Sequence, residues 1–373
     1  MRTPLLVRYS NTKEGVRVKV ADIYTVSEHG ITRDKIDPDA LKITDRLNQE
    51  GFEAYIVGGA VRDLLIGKKP KDFDIATDAL PRRVRKIFRH SRIIGKRFRL
   101  VHVQFGKKLI EVSTFRSGET GEDTNIYGTL EEDVKRRDFT CNALYYSPKD
   151  QYILDYVGGY KDIKSGRLRS LIPIPLIFKE DPVRMIRAVK YAVSSDFTIS
   201  FLLKRRITKE SCLLQTISSS RLTEELVKIL QSGYSERMLK SLLSYGLLRY
   251  FLPWVEAKIK SREASELREA LWSSLNKLDQ TIPEEVMELS KGRIFFFLFD
   301  PFIQIDPNST PAEEIVKEAF KQGKEILHPL TPPNADIEEG IRFLCKCRGV
   351  RLLRVPGKYN KKPISGQGRK WAV

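Results

Sequence analysis

The sequence predicts an α+β protein, with a mixed α/β head at the N-terminal side and an all-helical remainder. Three observations carry this. Short strand-like runs bounded by turn residues fall at 54–57, 98–105, 109–114, 142–146 and 152–156, and none is seen afterwards. Within them, a glycine pair at Gly58-Gly59 precedes an Asp-x-Asp at Asp72–Asp74. From Gly158 onward the apolar spacing is helical almost throughout, as at 181–193, 223–230, 236–243 and 263–275.

In chain order, residues 1–36 lack a clear period and read as an extended or partly ordered arm. Asp37-Pro38 opens a helix, aspartate as N-cap and proline in the first turn; Leu41, Ile43, Thr44 and Leu47 continue it and Gly51 ends it. The strand 54–57 leads into the glycine pair, and a helix starts near Pro81. Gly106-Lys107-Lys108 joins the runs 98–105 and 109–114 as a hairpin. Thr129–Glu132 is a capping box opening a short helix toward Arg136-Arg137-Asp138. The division expected is an arm (1–36), a head (37–157), a helical neck (158–250), a helical body (251–355) and a basic, disordered tail (356–373). The phenylalanines at 295–297 and 299 are nearly consecutive and apolar-flanked, which reads as core.

At 373 residues the chain can bury two or three cores, and 41% hydrophobic with 31% charged residues excludes a disordered protein. The net charge of +18 favours a polyanionic partner, nucleic acid or an anionic membrane surface. No stretch reaches the roughly 18 apolar residues of a membrane span, and no signal peptide is visible; a cytoplasmic location is expected. The four cysteines are scattered and lack zinc-ligand spacing.

Asp72 and Asp74 share one face of an extended segment while Phe73 and Ile75 take the other. Two adjacent carboxylates repel unless a cation sits between them, and all-oxygen ligands suit Mg²⁺. Glycines at a strand-to-helix turn let backbone N–H groups approach a phosphate. Glu111, on the polar face of 109–114, is the candidate third carboxylate. Alone, the Asp pair could be a solvated strand edge, Arg62-Asp63 ordinary surface charges, and Lys68, Lys69 and Lys71 a solvated turn. Two later clusters follow. In Arg137-Asp138 with Asn142, arginine forks can grip phosphate and the carboxylate ribose hydroxyls, or the group is an exposed charged helix terminus. In Asp181 with Arg184 and Arg187 at a helix start, paired Asp and Arg can read a base edge, or the group is an N-capped helix with a routine ion pair.

The ordered set VGGAVRDLLIG–KKPKDFDIATD, RRDFTCNAL, DYVGGYKDI, EDPVRMIRAVKYA and SSSRLTEEL resembles the motifs of class II nucleotidyltransferases. That family comprises bacterial poly(A) polymerases and CCA-adding tRNA nucleotidyltransferases, and the likeness runs from about 40 to 230. It implies a nucleotidyltransferase head in which Gly58, Gly59 and Arg62 hold a triphosphate and Asp72 and Asp74 bind catalytic Mg²⁺. Arg137, Asp138 and Asn142 would meet the nucleotide, with Asp138 near the ribose. Residues 155–159 would be a hinge between head and neck. Asp181, Arg184 and Arg187 would select the base in place of a template, and 221–225 would begin a supporting helix. The stretch IIGKRFRLVHV at 93–103 is similar to the form typical of the poly(A) polymerases. The implied activity is AMP transfer from ATP to RNA 3′-hydroxyls with release of pyrophosphate, with Lys96, Arg97, Lys358, Lys361 and Lys362 on RNA phosphates. CCA addition to tRNA with CTP and ATP, or a non-catalytic basic RNA-binding relic, are the alternatives.

Overall fold

The computed structural model describes residues 6–11, 15–95, 99–117, 127–261, 264–282, 289–307 and 311–352. Nine strands form the head sheet: β1 (Leu6–Asn11), β2 (Arg17–Thr25), β3 (Ala54–Val57), β4 (Asp74–Thr77), β5 (Ser91–Ile94), β6 (Leu100–Phe105), β7 (Lys108–Thr114), β8 (Leu144–Ser147) and β9 (Tyr152–Asp155). Their spatial order is β1-β2-β9-β8-β3-β4-β7-β6-β5. The β4–β7 pair is parallel and every other neighbouring pair is antiparallel, so the sheet is mixed.

The sheet is larger than the small one expected. Leu6–Asn11 and Arg17–Thr25, within the stretch expected as an arm, are extended but hydrogen-bonded as β1 and β2, and β2 joins the sheet through β9. The partner of β2 in the sheet, β9, lies about 130 residues away in sequence, which leaves no local signal. The short β5 was also not expected; it pairs with β6. Asn142, expected to start a strand, instead ends a 3₁₀ turn at Thr140–Asn142, and β8 begins at Leu144.

The local signals that were legible are built as expected. Asp37 Oδ1 accepts from the N–H groups of Asp39 (2.9 Å) and Ala40 (3.3 Å) at the start of the helix Pro38–Gln49. Thr129 and Glu132 close their capping box, Thr129 N donating to Glu132 Oε2 at 2.7 Å. Beyond the sheet the elements among the described residues are helical, apart from a two-stranded pair, Arg167–Leu168 with Thr198–Ile199. Phe295 and Phe299 are buried in the helix Lys291–Phe299.

Register places the functional end of the sheet. Asp22 pairs with Asp155, Asp155 with Leu144, Tyr145 with Val57, and Val57 with Asp74. These residues lie in two adjacent transverse rows, Asp22-Asp155-Leu144 and Tyr145-Val57-Asp74, at the C-terminal ends of β3 and β9 and the N-terminal ends of β4 and β8. In the first row Asp155 Oδ1 accepts from the N–H groups of Val157, Gly158 and Gly159, and Oδ2 from Tyr160, fixing the turn into the helix Gly159–Lys164. Gly159 has no room for a side chain: an added Cβ would stand 2.2 Å from the Thr140 carbonyl oxygen. Gly159→Ala is therefore expected to destabilise the fold by about 1–3 kcal/mol, since backbone must move. Urea unfolding checks this; an unchanged midpoint would show that the turn yields freely.

Candidate active site

The strand β3 ends at the row of Val57, and Gly58 turns the chain with φ of +71°, the left-handed region open to glycine. A Cβ on Gly58 would lie 3.8 Å from Arg137 Nη1 and 3.9 Å from Asp74 Oδ2. Three elements distant in sequence thus meet at the glycine: the β3 turn, the start of β4, and the segment after the helix Leu130–Lys135.

Asp72 and Asp74 are open to solvent while Phe73 and Ile75 are buried, the alternation that the sequence predicts, although Asp72 precedes β4 rather than lying in it. On β7 the parallel register sets Val112 beside Ile75, so Glu111 stands next to Asp74. Glu111 Oε1 also lies 3.2 Å from His102 Nε2 on β6. Crowding by protein, then the charges of Glu111 and Asp72, push the Asp74 carboxyl up to about 6; Arg137 and Lys228 pull the other way. Among the described residues no three His, Cys, Asp or Glu side chains close into a metal cage. Mg²⁺ is commonly held by one or two carboxylates with waters and substrate phosphates completing the shell, and mutually repelling Asp72 and Asp74 fit that mode.

Behind the carboxylates lies a buried guanidinium network. Arg62 donates from Nη1 to Asn142 Oδ1 (2.8 Å) and from Nε and Nη2 to Asp63 Oδ1. Arg137 donates from Nη1 to the Asn142 carbonyl (3.1 Å), from Nε to Tyr145 Oη (2.9 Å) and from Nη2 to Asp133 Oδ2 (3.1 Å). Asn142 therefore fixes both arginines. Tyr145 also donates to Asp133 Oδ2 at 2.5 Å. Burial pushes the Asp133 carboxyl up, but Arg137, Tyr145 and Arg136 together hold it below its ordinary range.

The helix Val183–Ser195 faces this group. Arg187, on the helix Val183–Ser195, lies 3.0 Å from Asp138 Oδ2. The Tyr191 ring sits between Arg62 (5.1 Å) and Arg187 (5.7 Å) and packs edge-on against Phe139. Asp181 receives both contacts of Arg221 Nη2 (2.9 and 3.1 Å), whereas Arg184 donates to Glu180 (2.8 Å) and the Ile177 carbonyl (3.1 Å). Asp181 and Arg184 are thus held by different partners. Lys190 bonds Glu225 at 2.5 Å on the helix Ser219–Leu230.

A family model described as "Poly A polymerase head domain" matches residues 54–169, and one described as "Probable RNA and SrmB- binding site of polymerase A" matches 196–259. Poly(A) polymerase I of Escherichia coli O157:H7 is 39% identical over 306 residues, 78% of this chain and 66% of that protein. That of Haemophilus influenzae is 40% identical over 265 residues, 66% of this chain and 58% of that protein. The CCA-adding enzyme of Geobacillus stearothermophilus is 38% identical over 230 residues, 60% of this chain and 56% of that protein. The chain belongs to the class II nucleotidyltransferases.

Solved structures agree on the fold. The Bacillus stearothermophilus CCA-adding enzyme in complex with CTP aligns at TM-score 0.55 and 28% identity, over 84% of this chain and 83% of that one. A tRNA nucleotidyltransferase complexed with a primer tRNA and an incoming ATP analog aligns at TM-score 0.58 and 26% identity, over 82% and 84%. The chain spans 66% or less of the length of the curated relatives named above.

Gly58, Asp74, Glu111, Arg62, Arg137 and Asn142 gather at one end of the sheet, and Arg187 of the helix Val183–Ser195 meets Asp138. Lys68 and Lys71 do not line the glycine turn. Lys68 donates to the Ser194 carbonyl and Tyr234 Oη, and Lys71 to the Gln231 carbonyl, tying head to neck. Lys96, Arg97, Lys358, Lys361 and Lys362 lie outside the described residues. Sequence reading missed Asp133, Tyr145 and Tyr191. The helical spacing of Asp133 and Arg137, four apart, is the one signal that points to the first. No described helix is long and apolar enough to cross a membrane.

Proposed function

We propose that the chain is a template-independent polynucleotide adenylyltransferase, adding AMP from ATP to RNA 3′-hydroxyls and releasing pyrophosphate in the cytoplasm. The observation that carries the reading is the meeting of Asp74, Gly58 and Arg137 within 4 Å of one point, with Glu111 beside them. Phosphoryl-group transfer needs carboxylates for a metal and cations for the triphosphate in one place. Preference for poly(A) synthesis over CCA addition is supported by the longer match to poly(A) polymerase I, 306 residues against 230 for the CCA-adding enzyme.

In this reading Gly58, Gly59, Arg62 and Arg137 grip the triphosphate, and Asn142 keeps both guanidinium groups aimed. Asp72 and Asp74 hold Mg²⁺, with Glu111 the third carboxylate; bound there, the metal supplies charge neutralisation and a lowered pKa for the attacking hydroxyl. Asp138, steadied by Arg187, meets the ribose. Asp181, Arg184 and Arg187 choose the base. Incubation with labelled ATP, Mg²⁺ and an unstructured RNA is expected to give a product ladder with matching pyrophosphate release. Tight RNA binding without turnover would overturn the reading in favour of a non-catalytic RNA-binding protein.

A further inference from the structure

The two-stranded ribbon at the N-terminus has no part in the site above, yet it stands at the same end of the sheet. The strand β2 pairs with β9 only over Asp22–Thr25. Its earlier residues, and the β1 residues paired with them, continue past the two adjacent rows that carry Asp155 and, next to it, Val57 and Asp74. Antiparallel steps from β2 through β9, β8 and β3 to β4 leave β2 and β4 pointing the same way, so this overhang lies at the N-terminal end of β4. Four strand spacings separate them, about 20 Å.

The overhang buries little. Residues 8–11 and 15–19 are all exposed, and Leu6, Tyr9, Val16 and Val18 are among the large apolar side chains left in solvent. A bare two-stranded ribbon is marginally stable in water, so core formation does not account for it. Its chemistry is specific. Tyr9 pairs with Lys19 and Asn11 with Arg17, and directly paired residues share a face. One face therefore carries an aromatic ring between two cations, and the Arg17 guanidinium lies 4.5 Å from the Tyr9 ring centroid. Lys19 bridges to Asp22 at the base of the ribbon. Over residues 6–20 the sequence has four basic side chains against one acidic. A stacking ring flanked by guanidinium and ammonium groups on an exposed ribbon matches single-stranded RNA, whose bases stack and whose phosphates need cations.

We infer that the β1–β2 ribbon, through Tyr9, Arg17 and Lys19, holds the body of the RNA whose 3′ end lies at Asp74. This rests on the reading of the chain as an enzyme that extends RNA. A strand rising about 3.4 Å per stacked nucleotide needs about six nucleotides to span the gap, so the ribbon meets long primers and not the shortest ones.

The test uses the full chain and the combined variant Tyr9→Ala, Arg17→Ala, Lys19→Ala. The KM for an RNA of about twenty nucleotides, relative to that for one of about three, is expected to rise roughly ten-fold, the size of one lost stacking contact. The salt dependence of binding should fall by about 1.4 in slope, for two phosphate contacts at about 0.7 each. Tyr9→Phe, which keeps a ring, should restore most of the affinity lost in Tyr9→Ala. An unchanged KM ratio and salt slope in a variant with the parent's unfolding midpoint would overturn the inference. Were the parent to extend no RNA, the adenylyltransferase reading would fall by itself. Fluorescence anisotropy with the longer RNA would then decide the ribbon, equal affinity of parent and variant overturning it.

Discussion

Asp74→Asn is expected to cut nucleotide addition by at least ~10³-fold while making the protein more resistant to heat at neutral pH in the absence of divalent ions. The first effect follows from the role of the carboxylate: several kcal/mol of charge stabilisation at a metal corresponds to about 10³ in rate. The second follows from electrostatics already present in the fold. Crowding by protein and the charges of Glu111 and Asp72 push Asp74 up to about 6. Its folded pKa is then above the ordinary carboxylate value, so the folded state binds the proton more tightly than the unfolded one. Ionised Asp74 thus disfavours the fold at pH 7, and lowering the pH through 6 toward 4 removes that penalty. Asparagine removes it at every pH. Melting curves of parent and variant from pH 4.5 to 7.5 are expected to diverge as pH rises. A variant less stable than the parent at pH 7 would mean that Asp74 is structural, and retained activity would remove it from the mechanism.

Arg137→Met is expected to be the most damaging single change to stability in the site, costing about 3–5 kcal/mol, because it strands a buried carboxylate. Arg137 is the cation on Asp133 Oδ2 at 3.1 Å; without it Asp133 keeps Tyr145, the Arg116 N–H (3.2 Å) and the longer Arg136 contact (3.4 Å). Arg137 also anchors the Asn142 carbonyl, so Arg62 loses its indirect brace. The double variant Asp133→Asn, Arg137→Met should recover a substantial part of the lost stability but none of the activity. Residues in one network couple by about 0.5–3 kcal/mol, which a urea-unfolding cycle resolves. Additive losses would show that Asp133 and Arg137 act independently. This separates the two jobs of the arginine, holding the fold and facing the nucleotide.

The site was legible where its residues sit close in sequence. The glycine pair, Asp72–Asp74 and Arg137-Asp138 each carry a local pattern with a physical reason, and the register around Val57 and Asp74 brings two of the three together. Glu111 was reachable because strand alternation alone puts it on the polar face of β7, beside Asp74. The brace formed by Tyr145, Asp133 and Asn142 was not, since Tyr145 reads as an ordinary apolar strand residue until its hydroxyl finds Asp133. Tyr191 likewise sits in a helical pattern that explains it as core, and only the head–neck docking lays it between Arg62 and Arg187. Lys68 and Lys71 show the converse. A run of lysines beside a phosphate motif reads as a solvated turn or an anion site, but two of them donate to the carbonyls of Ser194 and Gln231. The arm failed for a related reason: β1 and β2 have little burial periodicity because residues 8–11 and 15–19 are exposed, so the pairing with β9 left no pattern to read.

The choice between poly(A) synthesis and CCA addition is tested most directly by one measurement. The protein is incubated with tRNA lacking its 3′ end and given CTP alone, ATP alone, or both. Long tails with ATP alone are the expected result. Discrete products with CTP, completed to CCA only when ATP is added, would contradict the account and reassign the chain to tRNA maturation.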